Sequence, residues 1–221
     1  MGRVDRRGRD VRRAGLLGDA VEYLGRSQPE LSAEGRDGYI AVRGKFVVRD
    51  DAGPLDSFEV CMAIPLDFPF GEPLVWEVGG RIPRIADRHV FEKDGNLCLG
   101  VWEAWLAKTP SVSFAAYMDG PVADYFFGQS LVDTGQPWPF GERDHGLPGV
   151  LDAYGEVLGL DADLEAIKSY LLSLASRSLK GHHRCPCGSG RRVRDCHWDQ
   201  VRTLSGRIPP PLAASMLARL P

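Results

Sequence analysis

The sequence has no apolar run approaching the roughly 20 residues that a membrane-crossing helix needs, which argues against a helical membrane protein. Its opening stretch, MGRVDRRGRDVRRAG, is charged and lacks the apolar centre of a secretory signal, so a cytoplasmic protein is expected. Cysteines are few, five in all, and an odd number of them argues against a disulfide framework. There is no internal repeat. No glycine-rich loop of the kind that cradles phosphates is visible, so any activation by ATP has to be supplied by another protein. The N-terminal arginines have no aromatic residues interleaved with them, which disfavours nucleic acid as a partner.

What is present fits a globular chain. At 221 residues, 43% hydrophobic and 26% charged, it can hold one substantial core and a small appendage. The net charge of -3 conceals a pattern: residues 1–13 carry six arginines against Asp5 and Asp10, and residues 180–221 carry eight Lys/Arg against Asp195 and Asp199. The middle is therefore strongly acidic. The basic ends are either solvated tails or docking surfaces for an acidic protein or a nucleic acid.

Periodicity predicts a helix over 11–25, with Leu17, Val21 and Leu24 on one face. Three strand-like runs follow at 39–48, 57–65 and 74–78, joined by short turns, which reads as an antiparallel meander. Residues 79–111 have little periodicity but much apolar content, the pattern of an ordered functional loop. A helix is expected over 112–131, kinked at Gly120-Pro121. A second ordered loop is expected over 135–149. The clearest helix spans 161–179, capped by Asp161 or Asp163, and a short one follows the proline run at 208–211.

Near the C-terminus, CPCGSGRRVRDCH brings Cys185, Cys187, Cys196 and His197 within thirteen residues. Three thiolates and an imidazole make a tetrahedral Cys₃His zinc set. Gly188-Ser189-Gly190 lets the chain turn, and Arg191, Arg192 and Arg194 can lower the thiol pKa values and offset the anionic cluster. The other reading is a polar tail with incidental cysteines. The stretch resembles the SEC-C zinc motif, which runs Cys-x-Cys-Gly-Ser-Gly, two basic residues, then Cys-His or Cys-Cys. That resemblance covers about 20 residues and implies a closed structural Zn²⁺ site on a small docking module. It names no reaction.

Two cysteines remain. Cys61 lies on the strand face opposite Phe58 and Val60, as a packed structural thiol would. Cys98 sits in HVFEKDGNLCLG, between two leucines and just after Asp94-Gly95. It either fills a core or stands at a groove edge as a nucleophile; His89 and His145 are then candidate bases. The order of elements, with Phe68-Pro69-Phe70 and Pro73 as a bend, His89, then Gly95-Asn96-Leu97-Cys98-Leu99, and Trp102 and Trp105 beyond, resembles the ubiquitin-conjugating enzyme family over residues 11–178. It is most similar to divergent bacterial members, which share features like Gln136–Pro139 and His145-Gly146. The family reads His-Pro-Asn where this chain has His89-Val90-Phe91, and its histidine-to-cysteine spacing is one residue longer.

The resemblance implies an α+β, ubiquitin-conjugating-enzyme-like fold: a basic N-terminal arm at 1–10, the conjugating-type domain at 11–180, the zinc motif at 181–200 and a tail with a short helix at 201–221. It implies that Cys98 takes the C-terminus of a ubiquitin-like or partner protein as a thioester from an activating enzyme and passes it to an amine. Asn96 or His145 stands in for the family's asparagine. Asp94, Glu92 and Glu103 either orient the incoming ammonium or are solvated loop charges. The arm and first helix, through Arg6, Arg7, Arg12 and Arg13, dock the activating enzyme. Stand-alone bacterial relatives act in antiphage defence, where the conjugated partner is a nucleotide cyclase. The rival expectation is a non-catalytic scaffold of the same fold with a zinc docking module.

Overall fold

A computed structural model describes residues 6–141, 143–176 and 180–221. The chain is α+β, and its packing divides it into two units, Met1–Gly100 with Ser111–Glu142, and Val101–Pro110 with Arg143–Pro221. Residues 1–5 of the expected arm lie outside the described residues, and residues 6–10 are already helical.

The first unit is an antiparallel meander backed by helices. Strands β1 (Leu31–Gly35), β2 (Tyr39–Asp50), β3 (Gly53–Pro65) and β4 (Leu74–Glu77) pair in sequence order. Alternation sends Ile40, Val42, Phe46 and Val48 of β2 and Phe58, Val60, Met62 and Ile64 of β3 to one buried face. Helix α1 (Arg6–Ser27) contributes Ala20, Tyr23 and Leu24 to the core. The long helix expected over 112–131 is three pieces: α3 (Phe114–Tyr117), a π-helical turn at Met118–Val122 holding Pro121, and α4 (Ala123–Asp133). Proline has no N–H to donate, and the wider turn absorbs the defect where the expected kink lies. The β1 strand gives almost no sequence signal, since LSAEG has a single large apolar residue; β2 holds it through the register Leu31↔Gly44 to Gly35↔Ile40. Gly44, at φ +130°, is required there: a Cβ would stand 2.2 Å from the Glu30 carbonyl oxygen.

The second unit is helical: α2 (Trp102–Lys108), α5 (Leu147–Leu158), α6 (Leu164–Ala175), α7 (Trp198–Arg207) and α8 (Pro210–Ala218). Its core draws Tyr154, Val157, Ile167, Leu171, Leu174, Val201, Leu204 and Met216 together, with Cys185 and Val193 from the loop between α6 and α7. Asp163 caps α6 by accepting the Ala166 N–H. The expected loop over 79–111 contains α2, and the expected loop over 135–149 runs into α5 through Pro148 and Gly149; α5 also holds Gly155. Those glycines are packing devices: a Cβ at Gly149 would lie 1.9 Å from the Asp144 carbonyl oxygen, and one at Gly155 2.8 Å from that of Leu160. Glu103 of α2 is buried and is bonded by Tyr154, Ser215 and Arg219. It is a structural anchor, not an acid free to orient an ammonium.

Candidate functional site

Residues 89–98 form a small hairpin at the end of the meander. Val90 and Leu97 bridge antiparallel, both buried, and the Leu97 N–H donates to the Val75 carbonyl of β4 at 2.8 Å. The turn closes through Phe91 N–H to the Asn96 carbonyl (2.9 Å) and Gly95 N–H to the Phe91 carbonyl (2.7 Å), with Gly95 at φ +70°. The Trp76 indole N–H donates to the Asp94 carbonyl at 3.2 Å. With Leu97 directed into the core, alternation turns Cys98 and Asn96 to the other face. Cys98 is half-buried, and its N–H donates to the His89 carbonyl at 2.7 Å. The thiol is less buried than its core neighbours Val90 and Leu97.

His89 lies at φ 51°, ψ 46°, in the left-handed region, which for a residue other than glycine carries strain and is held by its surroundings. Its ring packs on Trp138 at 4.4 Å between centroids. Trp138 in turn sits over Gly128, where a Cβ would lie 2.4 Å from the indole. The preceding carbonyl, that of Arg88, accepts two hydrogen bonds, from the Tyr125 hydroxyl at 2.9 Å and the Gln129 amide at 2.8 Å. The Arg88 guanidinium donates to Gln129 Oε1 at 2.6 Å and to Asp133. Asp133 also pairs with Arg81, which makes a two-point bond to Asp56 at 2.6 Å. The Arg81 guanidinium holds the Asp56 carboxyl below its ordinary range. Burial raises the Tyr125 hydroxyl far above its ordinary value, so it remains a donor.

The cysteine-histidine set is a separate site. The ligand atoms of Cys185, Cys187, Cys196 and His197 all lie within 4.8 Å of one another. Cys185 Sγ and Cys196 Sγ are each 3.3 Å from His197 Nδ1, and Cys187 Sγ is 3.5 Å from Cys196 Sγ. A tetrahedral ion with bonds of about 2.3 Å to sulfur separates its ligands by about 3.7 Å, which lies between the short contacts of 3.3 to 3.5 Å and the 4.8 Å limit of the cluster. An antiparallel bridge between Arg184 and Arg192 closes the loop, with Gly188 and Gly190 at positive φ in the turn. Burial pushes the Cys185 thiol up to about 11, whereas Ser189 holds Cys187 down at about 6. Arg191 reaches Cys196 Sγ at 3.2 Å, and Arg194 pairs with Asp195. These residues can hold a metal ion through four protein ligands.

The structure brings Cys98, His89 and Asn96 into one hairpin. His145, exposed, precedes α5 in the second unit. Glu92 and Asp94 are exposed turn residues. Sequence reasoning missed Tyr125 and Gln129. Their i, i+4 spacing on a helix was the available signal, but Tyr125 reads as core and Gln129 as surface. Among the described residues, no helix is long and apolar enough to cross a membrane. Comparison with protein-family models, with curated proteins and with solved structures returns no match.

Proposed function

We propose that the chain is a conjugating acyltransferase of the ubiquitin-conjugating type, which carries a protein C-terminus as a thioester on Cys98. The observation that supports this reading best is the hairpin: a half-exposed thiol pinned by its own N–H to the carbonyl of a left-handed His89, immediately beyond a four-stranded meander. The Cys98 thiolate attacks the thioester carbonyl presented by an activating enzyme, and the activating enzyme's cysteine leaves as its thiolate. An amine then attacks the new thioester, Cys98 leaves as thiolate, and the ammonium proton passes to solvent or to a base. The Cys98 N–H is committed to His89, so the oxyanion has to be met by other donors. Asn96, which shares the face of Cys98, is the nearest side-chain amide in sequence that fits this role. The acyl donor is a ubiquitin-like protein or a partner enzyme such as a nucleotide cyclase, and the chemistry requires a reducing compartment such as the cytoplasm. Zn²⁺ is the ion that the second site suits, since it favours three thiolates and an imidazole in tetrahedral array. With all four positions filled by protein it is structural.

The test is a thioester trap with the activating enzyme present. A thiol-reducible adduct is expected on the wild type and on Cys61→Ala, none on Cys98→Ala, and a thiol-resistant ester on Cys98→Ser. Full transfer by Cys98→Ala would end the catalytic reading in favour of a binding scaffold.

A further inference from the structure

The Arg88 carbonyl is the best-held acceptor near the hairpin, and it lies one peptide away from the group that fixes Cys98. Gln129 is completely buried, at 0% exposure, and Tyr125 is nearly so. They stand one helical turn apart on α4 and donate to the same oxygen. A peptide carbonyl can accept two such bonds, and together they fix the orientation of the Arg88–His89 peptide plane. That plane sets φ of His89, and His89 is the one non-glycine residue at positive φ among the described residues. Its own carbonyl then receives the Cys98 N–H at 2.7 Å. The path is continuous: two side chains of α4, the Arg88 carbonyl, the His89 backbone, the Cys98 backbone.

A buried glutamine is costly unless every polar atom has a partner. Here both ends of the amide are used by Arg88: the NH₂ bonds its carbonyl and the Oε1 receives its guanidinium. The guanidinium is held in turn by Asp133. An apolar residue at 129 would pack against Tyr125 and Phe126 more simply. A polar one has a local purpose, and the backbone atom its side chain addresses is the one beside the strained residue.

We infer that Tyr125 and Gln129 are positioning residues for Cys98, acting as a two-donor clamp on the Arg88 carbonyl that holds His89 in the left-handed conformation and so keeps the thiol at the hairpin edge. The inference deepens the conjugating reading and rests on it for its purpose, but the clamp is measured without any activating enzyme. Neither residue touches the reacting sulfur's substrate; both act through the backbone.

The experiment compares Tyr125→Phe, Gln129→Met and the double variant in the full chain. The readouts are residue-resolved exchange of the Cys98 amide by NMR and the iodoacetamide alkylation rate of Cys98, resolved from the other cysteines by peptide mass spectrometry. Cys61, on β3, is the internal control. The double variant should exchange the Cys98 amide at least tenfold faster and change Cys98 alkylation by fivefold or more, with Cys61 unchanged. Each single variant keeps one donor and should fall between the wild type and the double variant, with Cys98 amide exchange at least threefold faster than in the wild type. A folded double variant whose Cys98 amide and thiol behave as in the wild type overturns the clamp. If the double variant does not fold, the singles decide: Tyr125→Phe removes one hydroxyl and opens no cavity, and equal Cys98 exchange in it and in the wild type, with Gln129→Met also equal, overturns the inference. Failure of the conjugating reading shows separately, as an adduct on Cys98→Ala, whatever the exchange data report.

Discussion

Cys98 and Cys185 each follow a residue engaged in an isolated antiparallel bridge, and the two bridges are of opposite polarity. At Val90↔Leu97 the bridging residues are apolar and turn inward, so the next residue, Cys98, turns out. At Arg184↔Arg192 the bridging residues are charged and turn outward, so the next residue, Cys185, turns in, where it is 5% exposed and joins the helical core. The same side chain is half-buried in one place and anchored in a core, within a cluster that could hold a metal, in the other. Strand parity decides this, because successive residues of a strand face opposite sides. The energetic consequence differs as well: a half-buried thiol contributes little to packing, whereas Cys185 joins the loop to the helices.

The largest effect should therefore come from the metal side. Structural zinc contributes about 10–16 kcal/mol of apparent binding energy in small zinc domains near neutral pH. Cys185→Ser, or a strong chelator, should remove about one zinc per chain by elemental analysis and unfold the loop at 181–197. Because Cys185 and Val193 are core residues, α5, α6 and α7 should loosen with it, seen as lost helical circular dichroism and faster amide exchange there. The sequence alone suggests disorder confined to the zinc loop; the shared core extends it. A purified protein that carries no metal would remove this half of the comparison.

Next in size is the buried carboxylate of the same unit. Among the described residues, Arg219→Ala leaves Glu103 with Tyr154 and Ser215 as partners, and uncompensated burial of a charge costs about 3 kcal/mol. Denaturant unfolding should show that loss, and Glu103→Gln in the Arg219→Ala background should recover part of it, since a neutral amide needs no counter-charge.

Acid sharpens the contrast from the other side. The folded pKa of Asp56 is depressed by Arg81, so the pair contributes stability above the unfolded carboxylate pKa of about 3.9, and that contribution is lost as pH falls through the lower folded value. The pair is partly exposed, so about 1 kcal/mol or less is expected. Asp56→Asn should lower the melting temperature by a few degrees at pH 7 and make no difference near pH 2, read on the sheet by near-ultraviolet circular dichroism. A loss that persists undiminished at pH 2 would mean that Asp56 acts through packing.

The smallest effect should be at Cys98 itself. Cys98→Ala should change stability by no more than about 0.5 kcal/mol, since the side chain is half-buried at a hairpin edge. A loss of 2 kcal/mol or more in urea unfolding would return it to the core.

Much of the first unit was legible because its signals are local. Alternating β-branched and aromatic residues mark β2 and β3, and the Gly120-Pro121 pair marks the break before α4. The metal cluster was legible because its ligands lie close in sequence. What escaped was written in tertiary terms. The β1 strand depends on pairing, not on LSAEG. Helix α5 carries glycines that read as breakers, yet each sits where a methyl group would strike a carbonyl. Helix α2 was hidden inside an apparently irregular stretch. Glu103 looked like a loop acid because its partners, Ser215 and Arg219, lie more than a hundred residues on. In the same way the Arg88 clamp was invisible, since Gln129 is 41 residues from the carbonyl it holds.

That distance between Glu103 and Arg219 also has a meaning during synthesis. The two are 116 residues apart. At translation speeds of roughly 5–20 residues per second, Glu103 is made about 6 to 23 seconds before the arginine that neutralises it. Through that interval the segment following the Cys98 hairpin carries a carboxylate with no permanent cation, and the helical unit cannot close around it. The second unit therefore closes only once Arg219 has emerged, while the strands of the first can pair earlier on the nascent polypeptide.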